Sequence, residues 1–589
     1  MNSTTVLAPQ EPLDYSSPVL DQLPPHLKAF MVPQHYDSYT PADHAVWRFV
    51  MKRNVAYLSK VAHKSYLEGL QRTGITLESI PSVREMNEIL GRIGWAACTV
   101  DGFIHPQAFM EFQAYKVLVI AADIRQIEHI QYTPAPDIIH EAAGHAPIIA
   151  DADYAEYLRY FGEIGCRAFS SRRDFELFEA IRHLSIIKED PYTPQADIQA
   201  GEQRIAEISA DMGPPSEMAL IRRLHWWTVE YGLIGTLENP QIYGAGLLSS
   251  IGESMWCMRP EVKKLPYTLD AMHVDFDITR PQPQLFVTPD FDHLKDVLNQ
   301  FADGMALRRG GIYGLQKARE SGSMATVVLS SGIQISGILN DFKQDAWNRP
   351  SFVRFSGPVS LAYNNSQIPG QGADYHVHGF STLVGKIRGI ETRLEHWTSD
   401  TFHQNGFVPG NRVQATFESG ISLEGRFLEN IRSQEGTNLI FRFEDCAVRL
   451  GDEILFRPEW GVFDLAVGHS VISVFSGVAD PWSFPLHFEP PREKTHKIQY
   501  SDDMRRLHQM YGQVRKVREG TEPPESLLDI LDALPAINAH SWLLVLEILE
   551  ILKPIEKFAP VCALWQEKLQ SAAQELPELS ELLTESIPA

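Results

Sequence analysis

The chain has 589 residues, more than one hydrophobic core accommodates, so about two to four domains are expected. Its 75 acidic against 52 basic residues leave a formal net charge of −23, which argues against a general affinity for nucleic acid or anionic membranes, since both need clustered Lys and Arg. Small molecules or other proteins are the expected partners.

The opening MNSTTVLAPQEPLDYSSP has neither a basic start nor an apolar core, so no signal peptide is expected. YKVLVIAADI and SWLLVLEILEIL are too short or too interrupted by charge to span a bilayer. Cys98, Cys166, Cys257, Cys446 and Cys562 are scattered and form no CxxC pair, which suits free thiols in a reducing, cytoplasmic setting. Residues 1–30 are Pro-rich and read as a flexible tail. From 40 to 100, HAVWRFVMKRNVAYLSKVA and REMNEILGRIG place apolar residues at helical spacing, and helical patterning continues through most of 107–258. A strand-like stretch in FDITRPQPQLFVT and a helix in DHLKDVLNQFAD follow.

After about residue 320 short alternating runs punctuated by Gly, Asn and Asp predict a β-rich domain over 320–480. It repeats itself: SSGIQISGIL (330–339) resembles ESGISLEGRF (418–427), and FVRF (352–355) resembles IFRF (440–443), all offset by 88 residues. Two related β units are expected there. YHVHG puts His376 and His378 on one strand face without a third ligand, so ordinary surface histidines are the expectation. Residues 490–589 read as a helical C-terminal region whose apolar stripes serve either a packed hairpin or self-association.

PDIIHEAAGHAP (136–147) contains His140, Glu141 and His145. A zinc protease writes HExxH, with histidines four apart and roughly 40° around the helix axis; five apart gives roughly 140°, which a straight α-helix cannot aim at one ion. The segment is therefore expected to end or bend near Gly144, with Pro147 supporting an irregular course. Two histidines and a carboxylate from elsewhere form the facial site of non-haem iron(II) oxygenases. A zinc hydrolase with Glu141 as base, and a non-catalytic binding protein on the same scaffold, are the competing classes. WWTVEYG (226–232) sets Glu230 among bulky apolar neighbours, where an unpaired acid is costly. IYGAGLLSSIGE (242–253) follows, dense in Gly and Ser.

PDIIHEAAGHAP, WWTVEYG and YGAGLLSS together resemble the pterin-dependent aromatic amino acid hydroxylases. The resemblance begins near PQHYDSYTPADHAVWRFV, runs through VDGFIHPQAFMEFQAYKVLVIAADIR and QYTPAPD, and ends near QLFVTPDFDHLKDVLNQFAD. It implies a multidomain chain: a mainly α catalytic domain of that type over 31–310, interrupted by an insertion at about 166–205, then the β-rich duplicated domain and the helical C-terminal segment. It implies His140, His145 and Glu230 as iron(II) ligands, with tetrahydrobiopterin or a related tetrahydropterin as cofactor and O2 as co-substrate. Gly102, Ile104, Phe109, Tyr132 and Glu141 fall to the pterin. Arg125, Thr133, Pro136, Trp226 and Ser249 fall to an aromatic amino acid substrate, Arg125 as a bidentate clamp for its carboxylate. Read alone, Arg125 would make an ordinary salt bridge with Glu128 or Asp137. Asp137, Ser249 and Glu253 are candidates for orienting the histidines. Trp226, and an aliphatic Ile278 where tyrosine hydroxylases tend to carry an acid, favour phenylalanine 4-hydroxylation over attack on another aromatic amino acid or ring position. The chain departs from the family in a long gap between His145 and Glu230, in His225 before the pocket Trp, in Ala135 before the Pro-Asp pair and in its C-terminal half.

Overall fold

The computed structural model describes residues 11–102, 104–127, 130, 137–189, 193–277, 280–486, 500–534, 536–575 and 580. Within the expected flexible tail, residues 11–30 are packed instead. Leu20, Leu23 and Leu27 are buried, Asp14 accepts from the backbone N–H groups of Gln34 and His35 at 2.9 and 3.0 Å, and the Tyr15 hydroxyl donates to the Val32 carbonyl at 2.9 Å.

Helix α1 (Pro41–Val61) starts where Thr40 and Asp43 exchange side-chain-to-backbone bonds, with Pro41 at a position that needs no N–H. It buries Trp47, Val50, Met51 and Leu58. Helices α2 (Pro106–Ala114), α3 (Ala152–Gly165), α4 (Arg172–Glu189), α5 (Gln195–Ala210), α6 (Glu217–His225) and α7 (Ala245–Ser249) follow. Two small sheets brace them. One runs β1 (Met31–Val32), β2 (Ala96–Val100), β3 (Val117–Ala121) in that order. The other is made of β4 (Leu233–Gly235), β5 (Pro240–Ile242), β6 (Lys263–Pro266) and β7 (Gln284–Thr288) in the order β5–β4–β7–β6. The insertion expected at about 166–205, between His145 and Glu230, falls on the helical hairpin α4–α5. Its near end rests beside α2, where the His105 ring lies 5.7 and 5.3 Å from those of Phe175 and Phe178.

The β-rich part holds two sheets. Strands β8 (Met324–Leu329), β9 (Ile333–Gln344), β10 (Pro350–Tyr363), β11 (Ser366–Gln367) and β12 (Gly379–Leu383) belong to the first. Strands β13 (Arg412–Thr416), β14 (Ile421–Arg432), β15 (Asn438–Leu450), β16 (Glu453–Phe456) and β17 (Phe463–Ala466) form the second. Then β18 (Val471–Ser476) returns to the first sheet beside β8, Val471 opposite Leu329. Strands β8, β9 and β10 begin at 324, 333 and 350, and β13, β14 and β15 at 412, 421 and 438, which repeats the 88-residue offset. Gly332 and Gly420, equivalent in that offset, both turn at positive φ, 88° and 86°, where a side chain would be strained. Each sheet has its own apolar core, one around Ile335, Val353 and Leu361, the other around Phe402, Phe427 and Phe441. His376 is buried against Gln371 at 2.8 Å while His378 is exposed, so the pair does not share one face.

The C-terminal helices close back on the first domain. Helices α8 (Asp502–Arg518) and α9 (Trp542–Leu552) pack on α1, with Trp542 edge-on to Phe49 at 5.1 Å. Arg48 of α1 forms a two-pronged ion pair with Glu547, Nε to Oε1 at 2.9 Å, and Arg518 donates to the same carboxylate at 3.1 Å. The apolar stripe of α9 is buried inside the chain, so intramolecular packing takes the surface that self-association through this helix would need. Among the described residues no helix is long and apolar enough to cross a membrane. Because the Arg48 and Glu547 side chains are only 6% and 3% exposed, Glu547→Ala strands a buried cation and should cost about 3–5 kcal/mol in chemical denaturation of the full chain. Glu550→Ala, at a side chain 31% exposed, should cost under about 1 kcal/mol in the same measurement.

Candidate functional site

The segment around Gly144 neither ends nor bends, as the histidine spacing suggested; it widens. Ile139–His145 is a π-helical turn. There each N–H bonds to the carbonyl five residues back, so residues five apart share a side as residues four apart do in an α-helix. His140 and His145 therefore face one volume, with ring centroids 5.1 Å apart. Pro147, which has no N–H to give the ladder, follows directly. Gly144 serves close packing: a Cβ there would come within 2.6 Å of the Ala245 carbonyl oxygen, so glycine lets α7 lie against the turn.

A second π-helical turn, Trp226–Glu230, ends α6, and the Tyr231 N–H bonds to the Trp226 carbonyl at 2.9 Å. It swings Glu230 toward the histidines, with carboxylate oxygens 3.2 Å from His140 Nε2 and 3.3 Å from His145 Nε2. Glu141 stands further off, 3.8 Å from His145 Nε2. The Ser249 hydroxyl donates to the Ala245 carbonyl at 2.8 Å and lies 3.0 Å from His140 Nδ1. Its one proton being spent, Ser249 accepts from Nδ1–H, which leaves Nε2 as the nitrogen that faces Glu230. Ser249, a candidate both for orienting the histidines and for the substrate carboxylate, lies where it can orient His140.

Burial alone would strip His140 of its proton, but the facing Glu230 carboxylate holds the imidazole up at about 9. Glu230 is drawn well below the usual carboxylate range by the two imidazoles, against its own burial, while burial pushes Glu141 up. His145 Nδ1 and Nε2 and Glu141 Oε2 are buried without an aligned hydrogen-bond partner. Ligand atoms of His140, Glu141 and His145 lie within 4.8 Å of one another, and Glu230 joins them through both imidazoles, nearer to His145 than Glu141 is. Leaving such groups dry and unpaired is costly, and a divalent cation answers that cost. Two imidazole nitrogens and a carboxylate on one side of an ion are the donor set of a facial iron(II) site, so the residues fit that metal.

Arg125 makes the salt bridge that was the alternative to a clamp. Nε and Nη2 donate to Asp137 at 2.7 and 2.9 Å, and Nη1 reaches the Ile130 carbonyl at 3.5 Å. Among the described residues, one N–H on each terminal nitrogen has no further partner. Asp137 also accepts from the His140 backbone N–H at 3.1 Å, tying Arg125 to the histidine turn. Trp226 is stacked between Tyr231 and Phe276, both at 4.4 Å between centroids. Phe109 is half-buried against the His225 ring at 5.8 Å, Ile104 is buried in the core and Gly102 is exposed. Glu253 is pushed up to about 7 by burial beside Tyr231, and among the described residues it makes no hydrogen bond to either histidine. Tyr132, Thr133, Pro136, Ala135 and Ile278 lie outside the described residues.

Two contributions escaped the sequence reading. His225 lies 3.7 Å from Glu230 and 3.3 Å from the Gln113 amide of α2, and burial lowers it to about 4, so it is a neutral neighbour of the cluster. Phe276, the far slice of the Trp226 stack, lies 50 residues from it and leaves no local signal. Because α7 carries Ser249 and rests on Gly144, Gly144→Ala should push it off the histidine turn. The expected cost is about 1–3 kcal/mol, measured by thermal unfolding, together with a drop in bound iron measured by atomic absorption.

The model of the biopterin-dependent aromatic amino acid hydroxylases matches residues 31–186 and 202–345, and the unmatched 187–201 fall within the α4–α5 insertion. The phenylalanine-4-hydroxylase of Pseudomonas aeruginosa is 28% identical over 271 residues, 46% of this chain and 86% of that relative. The Chromobacterium violaceum phenylalanine-4-hydroxylase is 26% identical over 270 residues, 45% of this chain and 76% of that relative. The crystal structure of the C. violaceum enzyme with iron(III) and 7,8-dihydrobiopterin covers 47% of this chain and 88% of its own at 26% identity and a TM-score of 0.37. With the family model spanning half of its residues, the chain belongs to the biopterin-dependent aromatic amino acid hydroxylases.

Proposed function

We propose that the chain uses iron(II), a tetrahydropterin and O2 to hydroxylate phenylalanine to tyrosine. The observation that carries this reading is the meeting of His140, His145 and Glu230 from two separate π-helical turns, with His145 Nε2 buried and unsatisfied. His140 and His145 would hold the iron through Nε2 and Glu230 through its carboxylate. Iron and pterin together supply the oxidising power for ring hydroxylation when bound. The protein's share is orientation and dryness. Ser249 holds the His140 tautomer, and Asp137 locks Arg125 so that its outer fork can take the substrate carboxylate. Trp226, braced by Tyr231 and Phe276, forms a flat apolar wall for an aromatic ring. Phe109, set against His225, is assigned to the pterin face, with Gly102, Ile104 and Glu141 beside it. Tyr132, Thr133 and Pro136 keep the roles the resemblance implies.

Phenylalanine is favoured because the similar proteins carry that name. The constant 88-residue strand offset supports reading the two β sheets as copies of one unit.

Purified full chain supplied with iron(II), a tetrahydropterin, O2 and phenylalanine should form tyrosine, read by chromatography beside tryptophan and tyrosine as substrates. His140→Ala and Glu230→Ala should form none above background. Ser249→Ala should keep the fold and weaken iron affinity roughly 10–100-fold. Iron bound without product from any of the three amino acids would refute the reading.

A further inference from the structure

One cation near the metal cluster has no partner of its own. On α6, Arg223 pairs with Asp275 and donates to the Met272 carbonyl at 3.1 Å. Its neighbour Arg222 makes no hydrogen bond or ion pair among the described residues. Burial pulls the Arg222 guanidinium below the ordinary arginine value, and the Asp174 carboxylate opposes this without outweighing it. Asp174 is spent elsewhere. It accepts from the Ser171 N–H at 2.6 Å in the first turn of α4, where the helix N-terminus also answers its charge. A guanidinium carries five N–H donors, and drawing them from water without an acceptor is costly.

The groups that feel this cation fix its place. Arg222 precedes His225 by three residues, so both lie on one side of α6. His105 precedes Phe109 by four at the start of α2, and Phe109 meets His225 at 5.8 Å. Burial, joined by the Arg222 charge, holds His105 down at about 4, and the same cation adds to the burial that lowers His225. Glu179, the other acid acting on His105, takes a hydrogen bond from Arg182 at 2.8 Å. Phe175 and Phe178 of the insertion pack on the His105 ring and close this corner. Glu230 lies in the opposite direction, eight residues from Arg222, or roughly 12 Å along a helix. Phe109, half-buried between the two, keeps ring surface for a flat heterocycle.

We propose that Arg222 binds an anionic group on the substituent of the pterin, so that this chain takes a tetrahydropterin whose tail carries a phosphate or a carboxylate. The proposal rests on the hydroxylase reading, which assigns Phe109 to the pterin. A planar guanidinium grips either oxyanion through two parallel N–H···O bonds, which a neutral hydroxylated tail cannot match.

Calorimetric titration of the iron(II)-loaded full chain, without amino acid, tests this with three oxidised probes. They are 7,8-dihydrobiopterin, whose tail is neutral, 7,8-dihydroneopterin 3′-phosphate and 7,8-dihydrofolate. At least one anionic probe should bind wild type roughly tenfold or more tightly than dihydrobiopterin, and which one does so separates phosphate from carboxylate. Arg222→Gln should erase that gap, and Arg222→Lys should keep part of it, because a point charge replaces the fork. Added KCl should narrow the gap in wild type, a reading that needs no variant if Arg222→Gln fails to fold. Dihydrobiopterin binding as tightly as both anionic probes would overturn the proposal and leave the hydroxylase reading standing. So would a gap that survives Arg222→Gln, or one that salt does not narrow. Binding of none of the three would remove the pterin assignment itself, and the proposal with it.

Discussion

Two imidazoles and two carboxylates share a small dry volume here, and the surrounding backbone is shaped by the need to aim them at one point. An α-helix cannot present His140 and His145 together, and a straight end to α6 would not bring Glu230 across. Both segments solve this by adopting the wider turn, which trades ideal backbone bonding for a shared direction. Glycine at 144 then admits α7, and α7 brings the hydroxyl that sets the tautomer of His140. The same turn accepts Asp137 as a partner at its start, so the arginine assigned to substrate and the histidine assigned to metal are braced by one carboxylate.

Much of this was legible before any coordinates. The five-residue spacing ruled out a zinc-protease helix, and the order of motifs led to the three ligand candidates that the fold brings together. The widening itself was not legible, because a bend and a π-turn satisfy the same spacing; the difference lies in which carbonyl each N–H meets. Arg125 and Asp137 were recognised as a pair that could form, but sequence alone could not say which guanidinium N–H groups the pair takes. The Trp226 stack depends on Phe276, which only tertiary packing delivers. Residues 11–30 show the opposite error: a Pro-rich composition suggested looseness, yet Leu20, Leu23 and Leu27 find a core supplied by distant segments.

The C-terminal half is not an appendage hung on a finished enzyme. The first sheet is completed only when β18 returns after the whole second sheet has been made, and its edge then meets α2 and α3. The helices beyond it bury their apolar stripe on α1, the helix whose Asn54 also reaches the α7 carbonyl of Leu248 at 3.3 Å. One helix thereby touches both the segment that orients His140 and the C-terminal helices α8 and α9.

Arg48 and Glu547 are separated by 499 residues. At ribosomal speeds of roughly 5–20 residues per second, about 25 to 100 s pass between synthesis of the cation and of the carboxylate that neutralises it. Throughout that interval one side of α1 lacks its buried carboxylate and its apolar cover, and Arg48 has only the exposed Glu78 at 3.7 Å, although the histidine turns have long been translated. The nascent hydroxylase domain therefore emerges with an exposed flank, which is covered only once the segment around Glu547 has been made.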